Sequence, residues 1–225
     1  TLVVSTFMAQ RKFASDPIVN YNVRFDQGQP SIVSEKVVDK LLIQIIKDHS
    51  ARLKDGIVLN KAESQIESLI GVRNAEVYTT ISGLLMVDVQ EKRVLAKVES
   101  DPVYYIDELG EQFVLSDPYL TELPVVRVKN DARFSGDSVK RILEKLSYFE
   151  LLEADLNDLR VIADERFAIG FRSFDFEVIL GDTTKLEYKL NKLMAFLIKA
   201  EQDKLLGRYH KVDLSFNNQV VATKK

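Results

Sequence analysis

The chain has 225 residues, enough for one or two domains, and its 46% hydrophobic and 29% charged content is that of a folded chain with a sizeable core. Thirty-one Lys and Arg against 34 Asp and Glu leave a net charge of −3, which argues against a general nucleic-acid binder. Cysteine is absent, which excludes disulfides, thiolate metal sites and cysteine nucleophiles, and the only two histidines, His49 and His210, are too few for a His-rich metal site.

The chain opens with a short, mostly apolar stretch, Thr1 to Ala9, followed by Gln10, Arg11 and Lys12. Two readings fit these residues, a first arm or strand and the stub of a transmembrane helix with its polar exit. No stretch reaches the roughly 20 apolar residues of a complete span. Val19, Tyr21, Val23 and Phe25 then alternate with polar residues, the period of a half-buried strand. Gln27, Gly28, Gln29 and Pro30 read as a turn. Ser34 is a candidate N-cap for a helix whose stripe is Val37, Val38, Leu41, Leu42, Ile45 and Ile46. His49 falls at the end of that helix, where a solvated role is expected. Asn60 and Glu63 have capping-box spacing, so a second helix is expected to start near Asn60, bury Ile66, Leu69 and Ile70, and stop at Gly71. Two strands follow, Val72 to Thr80 and Leu85 to Val89, joined by a turn at Ser82 and Gly83. Two helices on one face of a small sheet make a complete α+β unit.

The pattern changes at Glu91–Arg93, the expected domain boundary. Strand signals recur at Val94–Val98, Val103–Asp107 and Gln112–Leu115, with a hairpin turn through Glu108 to Glu111. Another extended piece starts at Leu123. A helix follows with Val139, Ile142, Leu143, Leu146 and Phe149 on one face, then strands around Leu159–Ala163, Phe167–Phe171 and Phe174–Leu180. Asp182 is expected to cap a long helix with the stripe Leu186, Leu190, Leu193, Met194 and Leu197, ending at Gly207. The chain closes with a strand in which Val212, Leu214 and Phe216 face one way, and a tail through Val221.

Motifs for chemistry are absent. There is no GxGxxG, no GxxxxGK[ST] and no GxSxG, and neither histidine sits where a catalytic triad would need it. Carboxylates such as Asp107, Glu108, Asp131, Asp164 and Glu165 are read as solvating surface before they are read as an acid and nucleophile pair. Lys140, Arg141 and Lys145 are read as a solvated helix face, and Phe167, Phe171, Phe174 and Phe176 as core. No cofactor or metal is expected.

Several patterns in order resemble the extracytoplasmic region of the FtsQ/DivIB family of bacterial cell-division proteins, over about Val19 to Thr223. The stretch from Glu67 to Val77 is similar to the family's helix, turn and V-x-x-A-x-V strand, with Gly71 where proline is usual. Glu91 to Ala96 resembles E-R-x-P-x-A, with Lys92 and Val94 as departures. Asp107, Gly110 and Phe113 match the family's hairpin. Leu123-Pro124 fits, though the glycine often seen shortly after it is missing, Leu180-Gly181 fits, and Val212-Asp213-Leu214-Ser215-Phe216 resembles V-D-L-R-Y with Ser215 and Phe216 as departures.

The resemblance implies an α+β chain made of a leader at 1–17, a stub of a removed transmembrane helix, then a β-α-α-β-β POTRA domain at 18–91. A mixed or antiparallel β-sheet domain with two helices follows at 92–225. It implies a non-enzymatic scaffold of the divisome, linking early and late division proteins, anchored by one span in the inner membrane with this region facing the periplasm. Its partners would be the FtsB–FtsL (DivIC–FtsL) pair, with further division proteins met through the POTRA domain. A strand at a sheet edge can take up another chain by main-chain hydrogen bonds. The expected partner site is therefore Val212, Asp213, Leu214, Ser215, Phe216, Asn217, Asn218, Gln219, Val220 and Val221. The competing reading of those residues is a last core strand sealed by the tail. Two other functions stay open: a POTRA-type chaperone or transport module of the envelope, and a cell-wall glycan enzyme.

Overall fold

A computed structural model of the protein describes residues 20–26, 31–49, 56–115, 122–129 and 131–225. The apolar leader at 1–17, Val19 and the 27–30 turn lie outside the described residues. Two compact units are present, one running to Arg93 and the other formed by Val94–Val114 and Glu122–Lys225.

The first unit runs β1 (Tyr21–Phe25), α1 (Glu35–His49), α2 (Gly56–Glu67), β2 (Val72–Thr79) and β3 (Leu85–Glu91). Its sheet has the order β1-β3-β2, with β1 parallel and β2 antiparallel to β3. Ser34 precedes α1, and its carbonyl accepts from the Val37 and Val38 amides. Val38, Leu42 and Ile45 carry the stripe into the core with Ile66, Val77 and Val87, while Val37 stays exposed at its margin. Gly71, at φ 96°, makes the turn from α2 into β2 in a conformation that a side chain disfavours.

α2 corrects several expectations. It ends at Glu67 rather than at Gly71, and Ile70, expected in its buried face, is 62% exposed. Its start differs too. The helix begins at Gly56, and Asn60 lies a turn inside it, its carbonyl accepting from Ser64 Oγ. Glu63 is drawn away from any capping role by a tertiary acceptor job. Its Oε1 takes the Val77 amide at 2.8 Å, and Glu67 Oε1 takes the Ala75 amide at 3.2 Å. Since β2 is an edge strand among the described residues, these carboxylates satisfy amides that no described strand pairs.

The second unit begins with β4 (Val94–Glu99), β5 (Tyr104–Asp107), β6 (Gln112–Phe113) and β7 (Val125–Val128). Helices α3 (Gly136–Leu146) and α4 (Glu150–Ala154) follow, then β8 (Leu156–Ala163), β9 (Arg166–Phe171) and β10 (Glu177–Gly181). It ends with α5 (Leu186–Gln202), β11 (Tyr209–Asp213) and β12 (Val221–Lys224). The nine strands form one sheet in the order β12-β11-β10-β9-β8-β7-β4-β5-β6. The sheet is mixed. The β4–β7, β7–β8 and β10–β11 pairs are parallel, and the others antiparallel. Parallel neighbours need long crossovers. Two of those connections carry the helices, α3 and α4 between β7 and β8, and α5 between β10 and β11.

Strand alternation sends Leu159, Val161, Phe167, Ile169, Val178 and Leu180 into one core with Val139, Ile142 and Leu146 of α3 and Leu190 and Leu193 of α5. The phenylalanines expected in the core are there. Phe167, Phe171 and Phe176 are buried, and Phe174 stacks on Phe176 with ring centroids 5.1 Å apart. Several elements differ from expectation, β8 starting at Leu156 and β6 ending at Phe113 among them. The five-residue α4 carries no sequence signal of its own, the strand expected from Phe174 starts at Glu177, and α5 ends at Gln202 with Gly207 in a separate 3-10 turn.

The expected Asp182 cap is a further correction. α5 begins at Leu186, and the position before it, Lys185, has φ 50° and makes no side-chain cap. Asp182 instead accepts from Lys189 Nζ at 2.8 Å and from Thr184 Oγ1 at 2.6 Å. Lys189 is 6% exposed, and an ammonium so buried needs a charged partner more than the helix needs a cap.

Candidate partner-binding edge

The closing strand expected around Val212 is the penultimate one. β11 pairs with β10 on one side and with β12 on the other. Val212 and Leu214 are 0% exposed, so the core role foreseen as the competing reading belongs to them. The open edge belongs to β12, whose outer side pairs with no strand among the described residues. Of the expected site residues only Val221 lies on that edge strand. Ser215, Phe216, Asn217, Asn218, Gln219 and Val220 form the connection that leads to it.

That connection is shaped by local bonds. Asp213 Oδ1 accepts from the Ser215 amide at 3.0 Å and from Ser215 Oγ at 2.6 Å. Gly181, at φ 74°, lies beneath Ser215, and a Cβ there would stand 3.1 Å from the Ser215 Cβ. The side chains after it turn outward, with Phe216 46% and Val221 36% exposed and Asn217 and Asn218 exposed.

Beside this connection is a cleft. One wall is the first half of α5 and the loop before it, with Asp182, Lys185, Tyr188, Lys189 and Lys192. Arg166 of β9 adds to the lining, and Leu214 to Asn217 form the other wall. Four cations face one carboxylate. Lys189 holds that carboxylate, and the hydrogen bonds from Lys189 and Thr184 hold the Asp182 pKa down to about 2. Lys192 is engaged with backbone carbonyls. Arg166 and Lys185 have no ion-pair partner among the described residues. An approaching chain would therefore meet two available cations, flanked by the half-exposed rings of Tyr188 and Phe216.

Three members of this cationic wall, Lys185, Lys189 and Lys192, are legible in the sequence as an exposed face of the last helix and an alternative partner site; Lys189 is instead buried, and Arg166 is the member that sequence reasoning missed. Lys185, Lys189 and Lys192 are spaced by four and three residues, the signal of a shared helix face. Arg166 comes from β9, which no local pattern connects to α5.

The other candidates find structural work. Asp107 Oδ1 accepts the Leu109 and Glu111 amides inside its hairpin. Asp164 accepts the Arg133 amide, and Glu165 accepts from the Ser135 amide and Ser138 Oγ at the start of α3. Lys140, Arg141 and Lys145 pair with Glu144, Asp137 and Glu187. His49 is the last residue of α1, and His210 Nδ1 lies 3.0 Å from the Lys224 carbonyl. Among the described residues no group of three His, Asp or Glu is placed to hold a metal, and no helix is long and apolar enough to cross a membrane.

Fold and site together define an α+β protein whose large mixed sheet ends in an open edge strand beside a cationic cleft. The profile of the family described as FtsQ/DivIB, C-terminal related, matches residues 93–223, more than half of the chain. The chain belongs to that family, one of membrane-anchored division scaffolds, and so has a cell-division role. No curated protein matches the sequence.

Proposed function

We propose that this chain is the extracytoplasmic part of a single-pass divisome scaffold, and that β12 receives a strand from an FtsB-like partner of the FtsB–FtsL (DivIC–FtsL) pair. The observation that carries the reading is the position of β12, an unpaired edge next to the Arg166–Lys185 cleft, inside the region that matches the family. Main-chain hydrogen bonds along β12 supply affinity without regard to sequence. The cleft supplies selectivity. Arg166 and Lys185 favour a partner with an acidic side chain near its strand, and Phe216 and Tyr188 favour an apolar one. The expected site therefore narrows to Phe216–Val221 as approach and Val221–Lys224 as receiving edge, with Val212 and Leu214 supporting it from the core.

The first unit has the β-α-α-β-β order of a POTRA domain, and we assign it that role, with further division proteins as its partners. The family is membrane-anchored, and the sheet is assigned to the periplasmic side of the inner membrane. The role is that of a scaffold, without catalysis or cofactor.

Because the chain has no cysteine, a Thr223→Cys variant carries a unique thiol on the edge strand. Cysteines scanned along the FtsB-like protein of the same genome should form a disulfide with it at the position directly opposite and, more weakly, two residues to either side, with the positions between them silent, the period of a strand. Cross-links spaced by three and four would mean a docked helix, and the absence of any would move the site off β12.

A further inference from the structure

Lys192, on α5, points its ammonium at the connection between β11 and β12. Nζ donates to the carbonyls of Leu214 at 3.2 Å, Phe216 at 2.6 Å and Gln219 at 3.3 Å. An ammonium has three N–H donors and no acceptor, so these three carbonyls use all of its capacity. Among the described residues no other hydrogen bond reaches residues 216–220. The side chains from Phe216 to Gln219 give little anchorage, since they are exposed, and only Val220, half-buried, packs against the core. Apart from the apolar contact of Val220, the path into β12 is fixed by one side chain from the helix. The site is partly desolvated. Burial, then the neighbouring charge of Lys189, pushes the Lys192 pKa down, with Asp213 opposing. The Tyr188 ring covers the ammonium with its centroid 5.1 Å away.

β12 has four residues and one neighbouring strand. So short a strand gains little from its own ladder, and its order depends on how its start is held. We propose that Lys192 is the positioning residue of the receiving edge: by gathering the carbonyls of 214, 216 and 219 on one point it holds β12 in a strand-ready geometry before any partner arrives. The second half of this inference rests on the strand-addition reading, and the first does not. A preformed edge lowers the ordering cost of association. Arginine would not substitute, because a planar fork cannot gather three carbonyls as a compact ammonium does. Since its donors are filled internally, Lys192 is not the cation that reads the partner's charge. Arg166 and Lys185 are left for that.

The test is amide hydrogen exchange on the unliganded protein, wild type against Lys192→Met. The hydrogen bonds of a charged group to backbone are individually worth more than neutral ones, so amides of 214–224 should exchange at least about tenfold faster in the variant, with β8, β9 and α3 unchanged. Lys192→Arg should resemble Lys192→Met. Should the methionine variant fail to fold, Lys192→Gln, which keeps an apolar stem and amide donors, carries the same comparison. Unchanged exchange at 221–224, or acceleration spread evenly over the whole sheet, would overturn the positioning role.

A second arm uses a synthetic peptide covering the strand of the FtsB-like protein from the same genome. Lys192→Met should weaken its binding by about tenfold with an unaltered salt dependence, because the lost charge does not face the partner. Equal affinity for wild type and variant, or a shallower salt dependence in the variant, would overturn the inference. If the peptide gives no added protection to β12 of the wild type, strand addition fails by itself, and the exchange rates of the free protein still decide what Lys192 holds.

Discussion

Asp158 of β8 stands directly opposite Gly170 of β9, and its carboxylate fills the space that a side chain at 170 would need. Asp158 is fully buried. Its Oδ2 pairs with Arg127 and, at 3.0 Å, with Arg160. Arg127 continues to Glu99 at 2.8 Å, and Arg160 to Glu177 of β10 at 3.2 Å. The absence of a side chain at Gly170 leaves Asp158 its site between the strands and leaves room for Arg160, whose Nη2 would stand 3.0 Å from a Cβ there. Gly170→Ala should therefore destabilise the fold by on the order of 1–3 kcal/mol through overpacking and a displaced carboxylate. Asp158→Ala should cost about 1–3 kcal/mol, moderated because both guanidiniums reach solvent. The two should not add, since the double variant removes the clash with the carboxylate. Urea denaturation of the four proteins measures the cycle, and strict additivity would refute the coupling.

Asp182 gives a pH dependence with a defined sign. The bond from Lys189, and then that from Thr184, lowers its pKa from 3.8 to about 2 in the folded chain. A carboxyl with a depressed folded value stabilises the fold above its unfolded pKa and loses that contribution as pH falls through the folded one. The loss should lie between about pH 4 and pH 2. The Asp182 side chain is largely exposed, so the effect is small, and direct titration by carboxyl carbon NMR is the measurement of choice. Lys189→Met should return the Asp182 midpoint toward the ordinary carboxylate range. An Asp182 midpoint already near 4 in the wild type would contradict the pairing.

Two outer amides of β2, those of Val77 and Ala75, are taken by Glu63 and Glu67. An edge strand with free donors is a template for another chain. Glu63→Ala combined with Glu67→Ala should leave the circular dichroism spectrum near that of wild type, lower stability by about 1–3 kcal/mol, and raise the mass seen by light scattering at high protein concentration. Glutamine at both positions keeps an acceptor and should restore the wild-type mass. An unchanged mass for the alanine variant would show that the carboxylates do not guard this edge.

The unpaired cations of the cleft should govern the rate of partner capture. Arg166→Glu and Lys185→Glu are each expected to slow association of the FtsB-like peptide by about tenfold at low salt, with a weaker salt dependence. Surface plasmon resonance at two ionic strengths separates this from a loss of edge geometry, which raises dissociation instead. An association rate that ignores both charge reversals would remove the cleft from the site.

Local pattern alone determined much of this protein. Period-two alternation located β8 and β9, and three-and-four spacing located α1, α3 and α5, because those periods follow from the backbone of a single element. The β-α-α-β-β order of the first unit and the change of pattern near Arg93 were legible for the same reason. The candidate edge was legible only as a stretch of chain, Val212 to Val221. Whether a strand is an edge depends on which strands lie beside it, and β11 was covered by four residues, Val221–Lys224, too short to carry a period of their own. Contacts between distant residues were beyond reach for the same cause. Asp182 reads as a cap until Lys189 is buried against it, Asn60 and Glu63 read as a capping box until the Val77 amide claims the carboxylate, and Arg166 joins α5 only when β9 and β10 are paired. Periodicity is a property of a few consecutive residues. Edges, buried charges and clefts are set by chain closure over tens of residues, and only the tertiary structure decided them.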